Sequence, residues 1–300
     1  MALKQIKNKI VSTQKTAKVT KAMEAVSAVK MRKSQERAFE SRAYVHAAMR
    51  VLSNISQSQE GLHHPLAEKR DNPKRLLVIV TSDKGLAGSV NSAVLKRAEQ
   101  YFFDHSEVDV IAIGRKALEF AERSGRTVLE NHINVSDDIT FEDVVSMAKT
   151  ILTSFSAGEY GAVEVMYQNF LSTFEQEPTS RTILPLDPAE VHYIMRGIKP
   201  KTGKFSDVAA PTDNKIAYTV EGGEEGVLNA LIPLLVEVIL YHALLESKAS
   251  EHSARMVAMK NATDKAKEVT KLLTLKFNNA RQAAITAEVS EITSGIEAMK

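Results

Sequence analysis

The stretch SEHSARMVAMKNATDKAKEVTKLLTLKFNNARQAAITAEVSEITSG, residues 250–295, decides the fold. It runs without glycine or proline until its last residue, and the breaker-free run begins upstream at residue 234. Apolar residues recur at alternating spacings of three and four, the signature of one long helix with a coiled-coil seam. The register reads Leu231, Leu235, Val238, His242, Leu245, Ala249, His252, Met256, Met259, Thr263, Ala266, Thr270, Leu273, Phe277, Ala280, Ala284, Ala287, Glu291 and Ser294. Thirteen of these nineteen positions are apolar. A lone helix with such a stripe would leave apolar surface in water, so it requires a partner.

Residues 1–60 supply one. They too lack glycine and proline and carry the same spacing through Leu3, Ile6, Ile10, Thr13, Ala17, Thr20, Glu24, Ser27, Met31, Ser34, Ala38, Ser41, Val45, Ala48, Leu52 and Ile55. An unbroken helix to Ile55 would extend ~80 Å at the standard rise. The economical solution pairs the two terminal helices antiparallel; a homodimeric coiled coil is the alternative.

Between the helices the pattern changes. LLVIVTS (Leu76 to Ser82) and VDVIAIG (Val108 to Gly114) are short apolar runs of the kind buried parallel strands show. Each leads into a helical pattern, through Asn91 to Phe103 and Arg115 to Arg123. TVLENHI reads as another strand, Phe141 to Phe155 as a helix and Ala162 to Phe174 as a long strand. This alternation predicts a Rossmann-like sheet with helices on its faces. The expected class is therefore α/β plus coiled coil. Its segments are a helix over 1–60, a Rossmann-like domain over 75–190, a loop or hairpin over 191–223, and a C-terminal helix over 224–300 pairing with the first.

Composition excludes several functions. With 300 residues, 44% apolar content and a formal net charge of +2, the chain can bury a core, and its total charge points to no particular partner. It has no cysteine, which removes disulfides, thiolate zinc sites and cysteine nucleophiles. MALKQIKNKI carries no apolar signal-peptide core, and Val227 to Leu240 is interrupted by Asn229, Pro233 and Glu237, so no membrane span is expected.

Chemistry-bearing motifs are weak. TSDKGLAGS (Thr81 to Ser89) has a strand before it and a helix after it, the context of a phosphate-binding turn. It lacks the terminal Gly-Lys-Ser/Thr of a P-loop and the three spaced glycines of a dinucleotide site, so a tight βα turn is the favoured reading. His63 and His64 have no second ligand cluster and read as a solvated loop. Asp137-Asp138 and Glu224-Glu225 read as solvent-facing charge in polar turns. His242 and His252 fall on the seam, where a register-setting or helix-capping contact is expected rather than catalysis. No Ser/His/Asp set is visible.

The charge distribution on the first helix says more. Residues 1–42 hold eleven lysines and arginines against Glu24, Glu36 and Glu40. Nucleic acid is one reading of such a basic helix, though the aromatic and base-reading residues that often accompany it are scarce there; a basic face can equally meet an acidic protein surface. A second apolar stripe, Val19, Ala22, Val26 and Val29 with Met23 beside it, implies a helix surrounded by protein.

Four segments carry a resemblance. TKAMEAVSAVKMRKSQ (Thr20 to Gln35), TSDKGLAGSVN (Thr81 to Asn91), SEHSARMVAMKNATDKA (Ser250 to Ala266) and NNARQAAITAEVSEITSG (Asn278 to Gly295) closely resemble the gamma subunit of bacterial-type F-type ATP synthases, in the expected order. Ile285-Thr286, Glu288, Glu291 and Gly295 form its most specific motif. Departures are Ala87 and Ser89, where the family often has cysteine and glycine, and Ile296, where it usually has alanine. The resemblance implies a central rotor shaft inside a head of alpha and beta subunits, with the α/β domain beside the epsilon subunit and the membrane ring of c subunits. It implies a peripheral place on the cytoplasmic face of the cell membrane, Mg-ATP and Mg-ADP held by the partner subunits, no cofactor, metal or catalytic residue in this chain, and no nucleic acid. By motif position, Lys21, Met23, Lys30 and Arg32 are expected to face the moving lobes of beta. Arg255, Arg281, Gln282 and Glu288 match positions that engage beta or alpha loops. A free-standing coiled-coil adaptor with a Rossmann-like binding domain is the alternative, and a nucleotide-binding enzyme a more distant one.

Overall fold

A computed structural model describes residues 3–40, 64–187 and 224–299. The segment 191–223 and the expected continuation of the first helix beyond residue 40 lie outside the described residues, as does His63. The elements in chain order are α1 (Leu3–Glu40), β1 (Arg75–Val80), α2 (Val90–Asp104), β2 (Val108–Ile113), α3 (Arg115–Arg123), β3 (Val128–His132), α4 (Phe141–Ser156), β4 (Ala162–Phe170), β5 (Gln176–Leu184) and α5 (Glu224–Ala298). They form two compact units, Met1–Ser27 with Met256–Lys300, and Ala28–Arg255.

The first unit is a helix pair built on the seam that the spacing predicts. Ile6, Thr20 and Ser27 of α1 are buried, as are Met259, Thr263 and Ala266 of α5. The hydroxyls of Thr20 and Thr263 meet at 2.6 Å. Each also donates back to its own helix or can do so, Thr20 to the Thr16 carbonyl at 3.1 Å and Thr263 to the Met259 carbonyl at 2.8 Å. Small seam residues let the backbones approach closely, and the paired hydroxyls leave no buried polar atom unmatched there.

Counting back from Thr20 to Leu3, and the same distance forward from Thr263, reaches Ala280. Ala284 is the last residue of α5 at intermediate burial, and every residue from Ile285 to Met299 is exposed. That limit matches an antiparallel pair in which α5 outruns the start of α1. Seam shielding therefore fades beyond the turn of α5 that lies level with Leu3, the first described residue of α1, although the heptad spacing continues through Ala287.

The second unit is a three-layer α/β body. Its sheet has the order β3-β2-β1-β4-β5, with β1 to β4 parallel and β5 antiparallel to β4. Strand alternation divides the core in two. Leu77 and Ile79 of β1 and Val110 and Ala112 of β2 face Val94, Ala98 and Phe102 of α2 and Ala117, Phe120 and Ala121 of α3. Leu76, Val78, Val80, Ile111, Ile113, Val163 and Val165 face the other side, onto Val144, Met147, Ile151 and Phe155 of α4 and the run from Leu228 to Leu245 of α5. Both faces are covered, which is why β1 and β2 read as continuous apolar runs rather than alternating ones.

One window of α5 is apolar enough by composition to cross a membrane, and 56% of it is buried in this body. Its composition is that of a core helix covering a sheet, and Pro233 lies within the helix.

Two expectations need correction. The strand beginning at Ala162 stops at Phe170 rather than running to Phe174, because Ser172 and Glu175 close a turn with mutual backbone bonds at 2.9 and 3.2 Å. The chain then returns as β5, a strand the sequence did not announce: QEPTSRTIL is polar, carries Pro178 and forms a sheet edge.

Candidate functional site

At the carboxyl ends of a parallel sheet, ligands bind where the strand order reverses, here between β1 and β4. The turn after β1 holds the TSDKGLAGS motif. Its backbone is shaped by the chain itself. Asn91 accepts from the Ser82 amide at 3.0 Å and donates to the Ser82 hydroxyl at 2.7 Å. That hydroxyl donates to the Lys84 carbonyl at 2.6 Å. Leu86 and Gly88 adopt φ of 62° and 61°, in the left-handed region. The N-terminus of α3 is likewise satisfied internally: the Ala117 amide donates to Thr81 Oγ1 at 2.8 Å and the Arg115 amide to Asp83 Oδ1 at 3.0 Å. Gly114, at φ 92°, lies so close that a Cβ there would stand 2.2 Å from the Thr81 carbonyl oxygen.

The crevice itself is closed by α5. Ser250 donates to the Gln168 carbonyl at 3.0 Å and Ser253 to the Thr173 carbonyl at 2.6 Å, both at the end of β4. Arg255 donates to the Gly85 and Lys84 carbonyls of the turn at 3.3 and 3.5 Å. The turn thus offers carbonyls to a guanidinium, the reverse of a phosphate cradle, and supports the tight βα turn reading.

Around Arg255 the second unit concentrates its charge. Arg255 also donates to Glu251 Oε1 at 2.6 Å and lies 3.3 Å from His252 Nδ1. His252 Nε2 is 3.0 Å from Asp137 Oδ1. Asp137 Oδ2 accepts from Lys30 of α1 at 2.6 Å, and Lys248 of α5 approaches Oδ1 at 3.6 Å while donating to the Val135 carbonyl. Asp138 takes Arg37 at 3.0 Å and Lys33 at 3.5 Å. The bond from His252, assisted by Lys30 and Lys248 and opposed by partial burial, holds the Asp137 carboxyl far below the usual carboxylate range.

This overturns the reading of Asp137 as solvent-facing charge, while Asp138 stays exposed as expected even as it pairs with α1. The pair gathers cations from α1 and α5, which no local sequence pattern reveals. His64 is corrected too: it is buried, accepts from the Leu66 amide at 3.1 Å and meets Asn229 of α5 at 3.1 Å. Glu224 and Glu225 open α5 rather than sitting in a turn.

The residues expected to meet partners separate into two groups. Lys21, Arg32, Arg281, Gln282 and Glu288 are exposed, and Met23 is half-buried. Lys30 and Arg255 are drawn together into the Asp137 cluster, Arg255 being 8% exposed. On α1 the second apolar stripe is open as predicted, with Val19, Val26 and Val29 at least half exposed. At the end of α5, Ile285, Val289, Ile292 and Ile296 form a further stripe at helical spacing, 50–64% exposed, which the sequence reading did not single out. The i, i+4, i+7, i+11 pattern could have identified it.

Such a chain is of the helical-shaft class: a paired-helix unit whose outer faces are apolar and charged, and an α/β body whose ligand crevice is filled by its own helix. The comparisons with known proteins agree. The family model described as ATP synthase matches residues 2–299, and the chain belongs to that family, as a gamma-type chain. A chain of the central stalk and c-ring structure of the Tetrahymena thermophila mitochondrial ATP synthase is 25% identical. The match covers 81% of this chain and 99% of that one, with a TM-score of 0.58. Two chains of the Euglena gracilis mitochondrial enzyme share the fold. One is from its rotor, at 15% identity, covering 94% and 98% with a TM-score of 0.62. The other is from its OSCP/F1/c-ring assembly, at 17% identity, covering 99% and 94% with a TM-score of 0.64. The chain has a rotor-shaft role in ATP synthase.

Proposed function

We propose that this chain transmits torque without catalysing a reaction itself. It turns with a membrane ring of c subunits and carries that rotation into a head of alpha and beta subunits, which bind Mg-ATP and Mg-ADP. The observation that carries this reading is the exposed end of α5 together with the open basic and apolar faces of α1. A helix pair that shields its own seam yet leaves these surfaces in water is built to be enclosed. Arg281, Gln282 and Glu288 sit on the exposed end, where contacts with the head can form and break. Lys21, Met23 and Arg32 offer a second contact zone on α1. The closed crevice supports a chain without its own nucleotide or cofactor. The epsilon subunit and the cytoplasmic face of the cell membrane complete the setting, the membrane being reached through the complex.

The test is affinity purification of the tagged chain from its host with an ATPase assay. Alpha and beta subunits should co-purify with activity. A homogeneous homodimer lacking ATPase partners would instead establish a free-standing coiled-coil adaptor.

A further inference from the structure

The cluster around His252 contains one bond whose survival depends on a single proton. His252 is buried, and both its ring nitrogens are engaged. Arg255 has only donors, so the contact at 3.3 Å requires Nδ1 to be the unprotonated acceptor. Nε2 then carries the hydrogen and donates to Asp137 Oδ1. Arg255 in turn spans from His252 and Glu251 to the carbonyls of Lys84 and Gly85 in the turn after β1.

Among the described residues, every charged group facing this imidazole can be named. The segment before α4 contributes Asp137. The helix α1 contributes Lys30, bound to the far oxygen of Asp137, while its Lys33 and Arg37 are held by Asp138. The helix α5 contributes Lys248, Glu251 and Arg255. The turn after β1 presents carbonyls, since Asp83 is engaged with the Arg115 amide and the Lys84 side chain is exposed. With a neutral imidazole, three cations meet two carboxylates. Protonation adds a fourth cation and places an Nδ1–H against the guanidinium.

We propose that His252 is a proton-operated latch: its neutral form holds Arg255 against the turn Lys84–Gly85, and its protonated form keeps Asp137 but expels Arg255, releasing the turn. Only one of the two histidine bonds is lost, because an imidazolium still donates through Nε2. Arg255 retains Glu251, so the helix stays in place while the exposed turn, with Leu86 at its tip, is freed. The latch joins the end of β1 to the helix that enters the paired-helix unit, and its operation does not depend on the rotor reading.

Two measurements on the full chain test it. Nitrogen-15 histidine spectra at pH 8 should show the Nε2–H tautomer for His252. On acidification the ring nitrogens and the amides of Gly85 and Leu86 should shift together, with one shared midpoint. Tryptic cleavage of the Lys84–Gly85 bond, normalised to a free peptide substrate at each pH, should rise about tenfold on acidification, the factor expected for loss of one charge-assisted bond. In His252→Gln, whose amide does not titrate, the normalised rate should stay flat. An Nδ1–H tautomer, turn amides that ignore the midpoint of the ring, or a pH response unchanged in the glutamine variant would each overturn the proposal. Should the glutamine variant fail to fold, the shared midpoint in the unmodified chain decides.

Discussion

Replacing Asp137 by asparagine removes one charge at nearly constant volume and tests what fastens α1 and α5 to the sheet body. Three contacts change: Lys30 at 2.6 Å, Lys248 at 3.6 Å and His252 at 3.0 Å. The Lys30 pair is half exposed, with side-chain accessibilities of 44% and 34%, so screening limits it to below about 1 kcal/mol. The His252 contact is different, since that side chain is 3% accessible, and a buried charge-assisted bond contributes roughly 1.5–3 kcal/mol. An asparagine oxygen can still accept from one partner, which recovers part of the loss. The net cost is about 2 kcal/mol, or about 4–8 °C in Tm for a unit of this size. Differential scanning calorimetry at 50 mM and 1 M salt is the assay. At 1 M the Debye length falls to about 3 Å, so the lysine share of the difference should fade while the His252 share persists. A variant melting within 1 °C of the unmodified protein at low salt, or a difference that grows with salt, would refute the reasoning.

Further outcomes follow from the same structure. Because the Asp137 carboxyl is held below its unfolded value, it contributes stability above the ordinary carboxylate pKa, and that stability is lost as pH falls through the folded value. Acid titration of Tm below pH 4 should therefore be steeper for the unmodified chain than for Asp137→Asn. Gly114→Ala meets the Thr81 carbonyl at 2.2 Å with a left-handed φ, and should cost about 3 kcal/mol in urea unfolding. Arg255→Ala takes the nearest partner from the buried Glu251 carboxylate, leaving Lys248 at 4.0 Å, and should cost about 3 kcal/mol by the same assay. Arg281→Ala and Glu288→Ala should leave Tm within 1 °C yet reduce ATPase activity of the reconstituted complex. Loss of stability in those two would place the residues in the chain's own fold instead.

How much of this was legible in the sequence depends on how local each signal is. The seams could be read directly, because a helix repeats its contact face every three or four residues: all of the expected α1 positions from Leu3 to Ala38 are shielded. Buried strands β1 and β2 were legible for the same reason. The edge strand β5 was not, since a polar run containing Pro178 looks like a loop until β4 supplies its partner. Asp137 was misread because its partners lie more than a hundred residues away on either side, and nothing in SDD distinguishes a hub from a polar turn. His252 was placed on the seam by spacing alone, but its bond to Asp137 needed the fold. The limit of the α5 seam near Ala284 was hidden too, because shielding there depends on where the other helix begins.

A rotor shaft must turn inside its assembly. The lack of native cysteine makes the decisive measurement direct: a single Glu99→Cys on the exposed face of α2 accepts a fluorescent or bead label with no background. The labelled chain is assembled with alpha and beta subunits immobilised on a surface, and ATP is added. The label should rotate in steps and in one direction, and this rotation should stop when ATP is removed. ATP turnover by the same complexes with a stationary label would contradict the rotor-shaft role.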